Sequence, residues 1–186
     1  MQEIVQDARS NLKHLIKEHG YFADGPYTLS AGGTSDCYFD LRRVTMDPRG
    51  ADLISELMLE RLKGVANIAA VGGMESGAIP IATAIALKSL ECRSGELRAF
   101  FVRKTEKKHG RKRRAEGLIQ EGDVVAFVED VTTSGKSVLS GIAAVEQLGC
   151  TVAKVISVLD RENGAQELIT KKGYQFEALF KASDFK

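Results

Sequence analysis

Ile4, Val5, Ala8, Leu12, Leu15 and Ile16 recur at helical spacing and Gly20 follows, which predicts an amphipathic first helix closed by a glycine. Between Tyr27 and Leu41 that period is lost. Gly32, Gly33 and Ser35 mix there with Tyr38 and Phe39, predicting two short strands or loops around a tight turn. Asp47-Pro48 then supplies an N-cap and a proline for the first helical position, and Leu53, Ile54, Leu57, Met58 and Leu62 form one apolar face up to Gly64. From there short apolar runs alternate with helical stretches. The runs cover 67–71, 97–102, 124–128, 152–159 and 174–180, and the helices 79–90, about 137–148, and 165–172. Such alternation predicts parallel strands joined by right-handed crossovers, hence an α/β fold with a central, mainly parallel sheet flanked by helices. Ligands of such sheets gather at the carboxyl ends of strands, so the loops after Val71, Val102, Val128 and Leu159 are the ones to inspect.

Composition narrows this picture. A chain of 186 residues, 44% apolar and 27% charged, is sized for a single domain over 1–186. A net charge of +1 argues against general attraction to nucleic acid or to a membrane surface. Cys37, Cys92 and Cys150 are odd in number, far apart and without a CxxC pair, so neither a disulfide framework nor a zinc site is expected, and a reducing cytoplasm is the default location. Asp7, Lys13, His14, Lys17 and Glu18 interrupt the first twenty residues in a way no signal-peptide core or membrane span tolerates. His14 and His19 lie outside every motif and are assigned no chemistry.

The densest chemistry follows the run Val124–Val128. Two carboxylates, Glu129 and Asp130, precede Val131, Thr132, Thr133, Ser134, Gly135, Lys136 and Ser137. Backbone N–H groups of 132–137 at the start of a helix make an anion site, the hydroxyls of Thr132, Thr133, Ser134 and Ser137 add donors, and Gly135 lets the chain turn closely around a ligand. Carboxylates repel a phosphate, so the acidic pair suits hydroxyls of an attached sugar, or a hydrated divalent cation. A nucleotide P-loop would need glycine where Asp130 stands, and 72–77 lacks the G-x-G spacing of a dinucleotide site. The plain alternative is a polar strand-to-helix turn capped by Thr or Ser.

A second unusual stretch, Arg103–Gly117, holds eight Lys or Arg against two Glu. Its self-repulsion and lack of an apolar face predict a mobile loop. Composition alone fits a solvated loop or a nucleic-acid patch, but the strands it joins end at the same sheet edge as the phosphate turn, so it could also fold over an anionic substrate.

VEDVTTSGKS at 128–137 resembles the phosphoribosyl pyrophosphate signature of type I phosphoribosyltransferases. RKTEKKHG at 103–110 and GRKRRAEG at 110–117 resemble the flexible loop of the orotate phosphoribosyltransferase family. Residues 27–32 and 35–42 resemble its hood, and Leu159-Asp160-Arg161 its LDR segment. The resemblance implies the type I phosphoribosyltransferase fold with a small N-terminal hood over about 20–45 and a flexible loop over about 103–117. It implies transfer of phosphoribose from phosphoribosyl pyrophosphate to orotate with Mg2+, the ion held mainly by substrate and through water by Glu129 and Asp130 rather than by direct protein ligands.

The residue roles implied by the family are specific. Arg103, Lys104, Lys107 and His109 contact the pyrophosphate, with Lys104 reaching in from the neighbouring subunit of a homodimer. Glu129, Asp130, Val131, Thr132, Thr133, Ser134, Gly135, Lys136 and Ser137 cradle the ribose 5-phosphate. Thr133, Arg161, Tyr38 and Phe39 meet orotate, and Lys107, His109, Lys104 and Asp130 carry catalysis. The sequence departs from some members at Ser30 and Ser76, where lysine stands in those proteins. Alternative readings are a transferase for another base, a phosphoribosyl pyrophosphate sensor binding nucleic acid through 103–114, and a catalytically weakened paralogue. For Arg161 the plain alternative is a surface ion pair with Glu162.

Overall fold

The computed structural model describes residues 2–28, 34–91, 95–105 and 114–186. Helix α1 (Gln2–Leu15) runs into a π turn over Ile16–Gly20. Two small antiparallel pairs follow: β1 (Tyr21–Phe22) with β4 (Tyr38–Phe39), and β2 (Tyr27–Thr28) with β3 (Thr34–Ser35). Helix α3 (Pro48–Leu62) starts as its sequence predicts, with the Asp47 carboxylate accepting the N–H groups of Arg49 and Gly50, both at 3.0 Å. A one-turn helix α2 (Arg42–Thr45), which no apolar period announced, leads into it.

The central sheet contains β5 (Ile68–Met74), β6 (Arg98–Val102), β7 (Ala115–Gly117), β8 (Val124–Thr132), β9 (Thr151–Asp160) and β10 (Phe176–Lys181), in the order β10-β9-β8-β5-β6-β7. All neighbours are parallel except β7, which pairs antiparallel with β6. Alternation along the strands splits the core into two layers. Val71, Ala126, Val128 and Ile156 pack with Leu12, Ile54, Met58 and Ile81, which come from α1, α3 and α4 (Ala78–Ser89). Val125, Phe127 and Val155 pack with Val138, Ile142 and Ile169 from α5 (Lys136–Glu146) and α6 (Ala165–Lys171). Side chains as fully buried as Phe127 and Ile156 each contribute about 1.5–3 kcal/mol.

Several boundaries differ from the sequence-based expectation, and β5 runs on past Val71 through Met74. The third strand does not stop at Val128 but continues through Glu129, Asp130, Val131 and Thr132, with Glu129 opposite Ser157 and Thr132 opposite Asp160 on β9. Backbone pairing to a neighbour carries the strand onward after its apolar pattern has ended. The basic segment, expected as loop throughout 103–117, returns at Ala115–Gly117 as the edge strand β7.

The short N-terminal strands are fastened to the other end of the chain by aromatic contacts. The Phe39 ring lies 5.1 Å from Tyr21 and 5.5 Å from Phe185, in the 3-10 turn after β10, and Phe185 stands 5.7 Å from Phe180. These contacts set the hairpins beside the carboxyl ends of β8 and β9.

Candidate active site

A cavity of about 590 Å3 opens at the carboxyl edge of the sheet, in the size range of small-molecule sites. Its walls come from the ends of β5, β6, β8 and β9, from the start of α5 and from the β4 hairpin. Among the predicted residues, Tyr38, Phe39, Lys104, Glu129, Asp130, Val131, Thr133, Ser137 and Arg161 line it. Lys107, His109 and Ser30 lie outside the described residues.

The β8–α5 turn presents its groups unequally. Gly135, with φ +74°, occupies the N-cap position of α5, and its backbone turns against Ile169. Thr133 and Ser137 face the cavity, whereas Ser134, Gly135 and Lys136 are not among its lining residues. Thr132 departs from its expected role. Its Oγ1 is directed into the sheet, 3.4 Å from Ser157 Oγ, 3.3 Å from the Leu159 carbonyl and 3.5 Å from Asp160 Oδ1. The strand alternation that turns Thr133 outward buries Thr132.

The two adjacent carboxylates also differ. Glu129 is 6% exposed, and burial, followed by the neighbouring Asp130 charge, pushes its carboxyl well above the usual carboxylate range. Asp130 is half-buried and packs against Gly77, where a Cβ would approach its Oδ1 to 2.4 Å. Glycine at 77 therefore makes the room in which the Asp130 carboxylate sits.

Sequence reasoning passed over several lining residues. Asp40, Arg42, Glu75, Gly77, Arg114 and Ser140 border the cavity, and Ser76 does so too. Glu75 Oε1 accepts the Lys104 N–H at 2.9 Å, tying the β5 turn to the start of the basic segment. Arg114 closes the other end. Its Nε donates to the Arg103 carbonyl at 3.0 Å, the Arg103 N–H donates to the Arg114 carbonyl at 2.9 Å, and Arg114 Nη1 reaches Ser140 Oγ at 3.1 Å. Arg103 itself turns toward Glu116, with 3.9 Å between charged atoms, and is not a lining residue. The strand-end rule pointed to the loop after β5, but the Arg114–Ser140 contact spans two elements and has no local signal.

Arg161 sits at the far wall. Its Nη2 lies 3.4 Å from Ser35 Oγ, and Glu162 instead accepts the Ser183 N–H at 2.8 Å. Among the described residues the two do not form the surface ion pair that was the plain alternative.

A mainly parallel sheet whose central strand carries an acidic pair near its carboxyl end and runs through a hydroxyl-bearing turn into a helix, with an N-terminal hood beside it, is the type I phosphoribosyltransferase architecture. Comparison with known proteins narrows the class. The chain is 44% identical over 178 residues to the orotate phosphoribosyltransferase of Aquifex aeolicus, covering 95% of this chain and 96% of that one. It is 40% identical over 182 residues to the enzyme of that name from Bradyrhizobium diazoefficiens, covering 96% of each. The solved orotate phosphoribosyltransferase of Mycobacterium tuberculosis H37Rv superposes with a TM-score of 0.83 at 36% identity, over 96% of this chain and 98% of that one. The same protein in complex with 5-phospho-alpha-D-ribosyl 1-diphosphate gives 0.79 at 33% identity, with the same coverage. No protein-family model matches the chain. At these identities and coverages the chain belongs to the orotate phosphoribosyltransferase family.

Proposed function

We propose that this chain transfers the phosphoribosyl group of 5-phosphoribosyl 1-pyrophosphate to orotate, releasing pyrophosphate and orotidine 5'-monophosphate for pyrimidine synthesis. The observation that carries this reading is that one cavity is lined by Thr133 and Ser137, the two ends of the hydroxyl-bearing turn, by the carboxylate residue Asp130 and by Arg161. The turn suits the 5-phosphate, Asp130 the ribose hydroxyls, and Arg161 the carboxylate and carbonyl oxygens of orotate. Tyr38 offers an aromatic ring for the base, while Phe39, expected beside it, borders the cavity from the core with its ring packed on Tyr21 and Phe185.

Departure of pyrophosphate from the anomeric carbon builds positive charge on the ribose ring and negative charge on the leaving group. Lys104, and Lys107 and His109 further along the same segment, supply cations for the leaving group, and His109 can protonate a departing phosphate oxygen. Closing the 103–114 segment excludes water that would otherwise capture the ribosyl cation. Mg2+ fits this lining as a substrate-borne, hydrated ion, because the half-buried Asp130 carboxylate faces the cavity with hydroxyls around it, and Glu129 adjoins it. When bound with the donor it would add charge neutralisation at the pyrophosphate.

A homodimer, with Lys104 acting across subunits, completes the proposal. Its support is the face of α4, which exposes Ile79, Leu87 and Leu90 within one arc. We read 1–186 as one domain, with 20–45 as hood, in the cytoplasm; no helix of the described residues is long and apolar enough to cross a membrane. The test is pyrophosphate release from the donor and magnesium with orotate, uracil, hypoxanthine or adenine. Turnover with orotate alone is expected, and turnover with a purine but not orotate would overturn the reading.

A further inference from the structure

Asp160 is the last residue of β9, 4% exposed, and lies in register with Thr132 on β8 and Lys181 on β10. Its acidic neighbours Glu162 and Glu167 oppose its charge, and among the described residues it has no ion-paired cation. A buried carboxylate in that setting destabilises the fold, and a neutral side chain would serve the strand better. Its hydrogen bonds suggest a different role for it. Asp160 Oδ1 accepts the Glu162 N–H at 3.0 Å and lies 3.5 Å from Thr132 Oγ1; that hydroxyl also has the Leu159 carbonyl at 3.3 Å and Ser157 Oγ at 3.4 Å, and among the described residues Asp160 is the one charged acceptor within its reach.

These bonds surround Arg161. The Arg161 N–H donates to the Thr132 carbonyl at 2.9 Å, and the chain reverses immediately afterwards at Glu162, whose φ is +60°. An L side chain is strained in that left-handed backbone, so something must hold it there. The Asp160 carboxylate holds its N–H, and the Ser183 N–H holds its side chain at 2.8 Å. Thr132 leads directly into Thr133, and Asp160 directly into Arg161, so the same contacts set the spacing between the phosphate turn and the guanidinium.

We infer that Asp160 is a positioning residue for base recognition: through the Glu162 N–H and Thr132 Oγ1 it fixes the turn that directs Arg161 into the cavity. The inference rests on the orotate reading above and deepens it. Asp160 touches no substrate; it acts through Arg161.

The test uses full-length wild type, Asp160→Asn, Thr132→Val, Arg161→Ala and the double variant Asp160→Asn/Arg161→Ala, with steady-state constants for both substrates. Asp160→Asn is expected to raise KM for orotate about tenfold while leaving KM for the phosphoribosyl donor within about twofold, because misplacing one recognition group weakens one substrate. Thr132→Val, nearly isosteric within a strand, should raise the orotate KM about threefold. In the Arg161→Ala background, Asp160→Asn should add nothing, the signature of action through that arginine. Multiplying effects in the double variant, equal loss for both substrates, or an unchanged orotate KM would each overturn the positioning role. Should Asp160→Asn fail to fold by circular dichroism, Thr132→Val with its own Arg161→Ala double decides by the same coupling. A wild type inactive on orotate overturns the functional reading itself, whereas an active wild type with an indifferent Asp160→Asn overturns only this inference.

Discussion

The turn from β8 into α5 and the two ends of the basic segment border the same cavity but are held by different means. The first continues a strand paired on both sides in its interior, and its last residues remain in register with β9 up to Thr132 and Asp160. The second is joined to the sheet at the edge pair β6–β7 and by the side chain of Arg114, which bridges Arg103 and Ser140. One is built in when the sheet forms, whereas the described ends of the other, at Lys104 and Arg114, are tied by polar contacts to Glu75, Arg103 and Ser140. The first arrangement suits the proposed phosphate cradle, which works best pre-organised.

Substitutions can break this comparison. The largest effect is expected at Lys107, where alanine should lower turnover by at least about a hundredfold without moving the melting temperature. Full activity of that variant would remove the basic segment from the mechanism. Next is Asp130→Asn, expected to weaken donor binding by about tenfold in calorimetry through loss of a charged acceptor for the ribose hydroxyls. Equal affinity would contradict that contact. Arg114→Ala should lower kcat about threefold with little change in stability, because its bonds to Ser140 are exposed and organise only the segment's end. A large drop in melting temperature would show the edge to be as integral to the fold as the β8 turn.

The smallest effect has the opposite sign. Because the Glu129 carboxyl is held well above the usual carboxylate range by burial and by Asp130, its contribution to stability is present below the unfolded-state value and lost as pH rises through the folded-state value. Glu129→Gln, neutral throughout, should therefore match wild type in acid and exceed it at higher pH. A gain of about 2–4 °C in melting temperature corresponds to about 1 kcal/mol in a chain of this size. Thermal melts across pH would check it, and a gap that narrowed as pH rose would contradict the stated cause.

Much of this site was legible locally. The helix at Pro48 announced itself through Asp47, and the acidic pair and hydroxyls at 129–137 announced an anion site beside acceptors for a sugar or a cation, which the family resemblance narrowed to a phosphoribosyl donor. Other features lacked any local sign. Thr132 reads like Thr133 in sequence, yet strand alternation gives one to the interior and the other to the cavity. β7 is short and its apolar content slight, so only β6 makes it a strand. Gly77 carries no local sign of its role, which is to leave room for the Asp130 carboxylate from another strand.

By itself the sequence determined the order of elements, the loops that could carry chemistry and the kind of ligand they suit, because period, caps and functional groups are properties of neighbours along the chain. The tertiary structure alone decided that Arg161 and Asp130 share a cavity, that Glu129 is buried while Asp130 is not, and that Arg114 meets Ser140. Those relations arise where strand ends from distant segments come within a few ångströms, and there burial and charge act on residues that sequence order keeps apart.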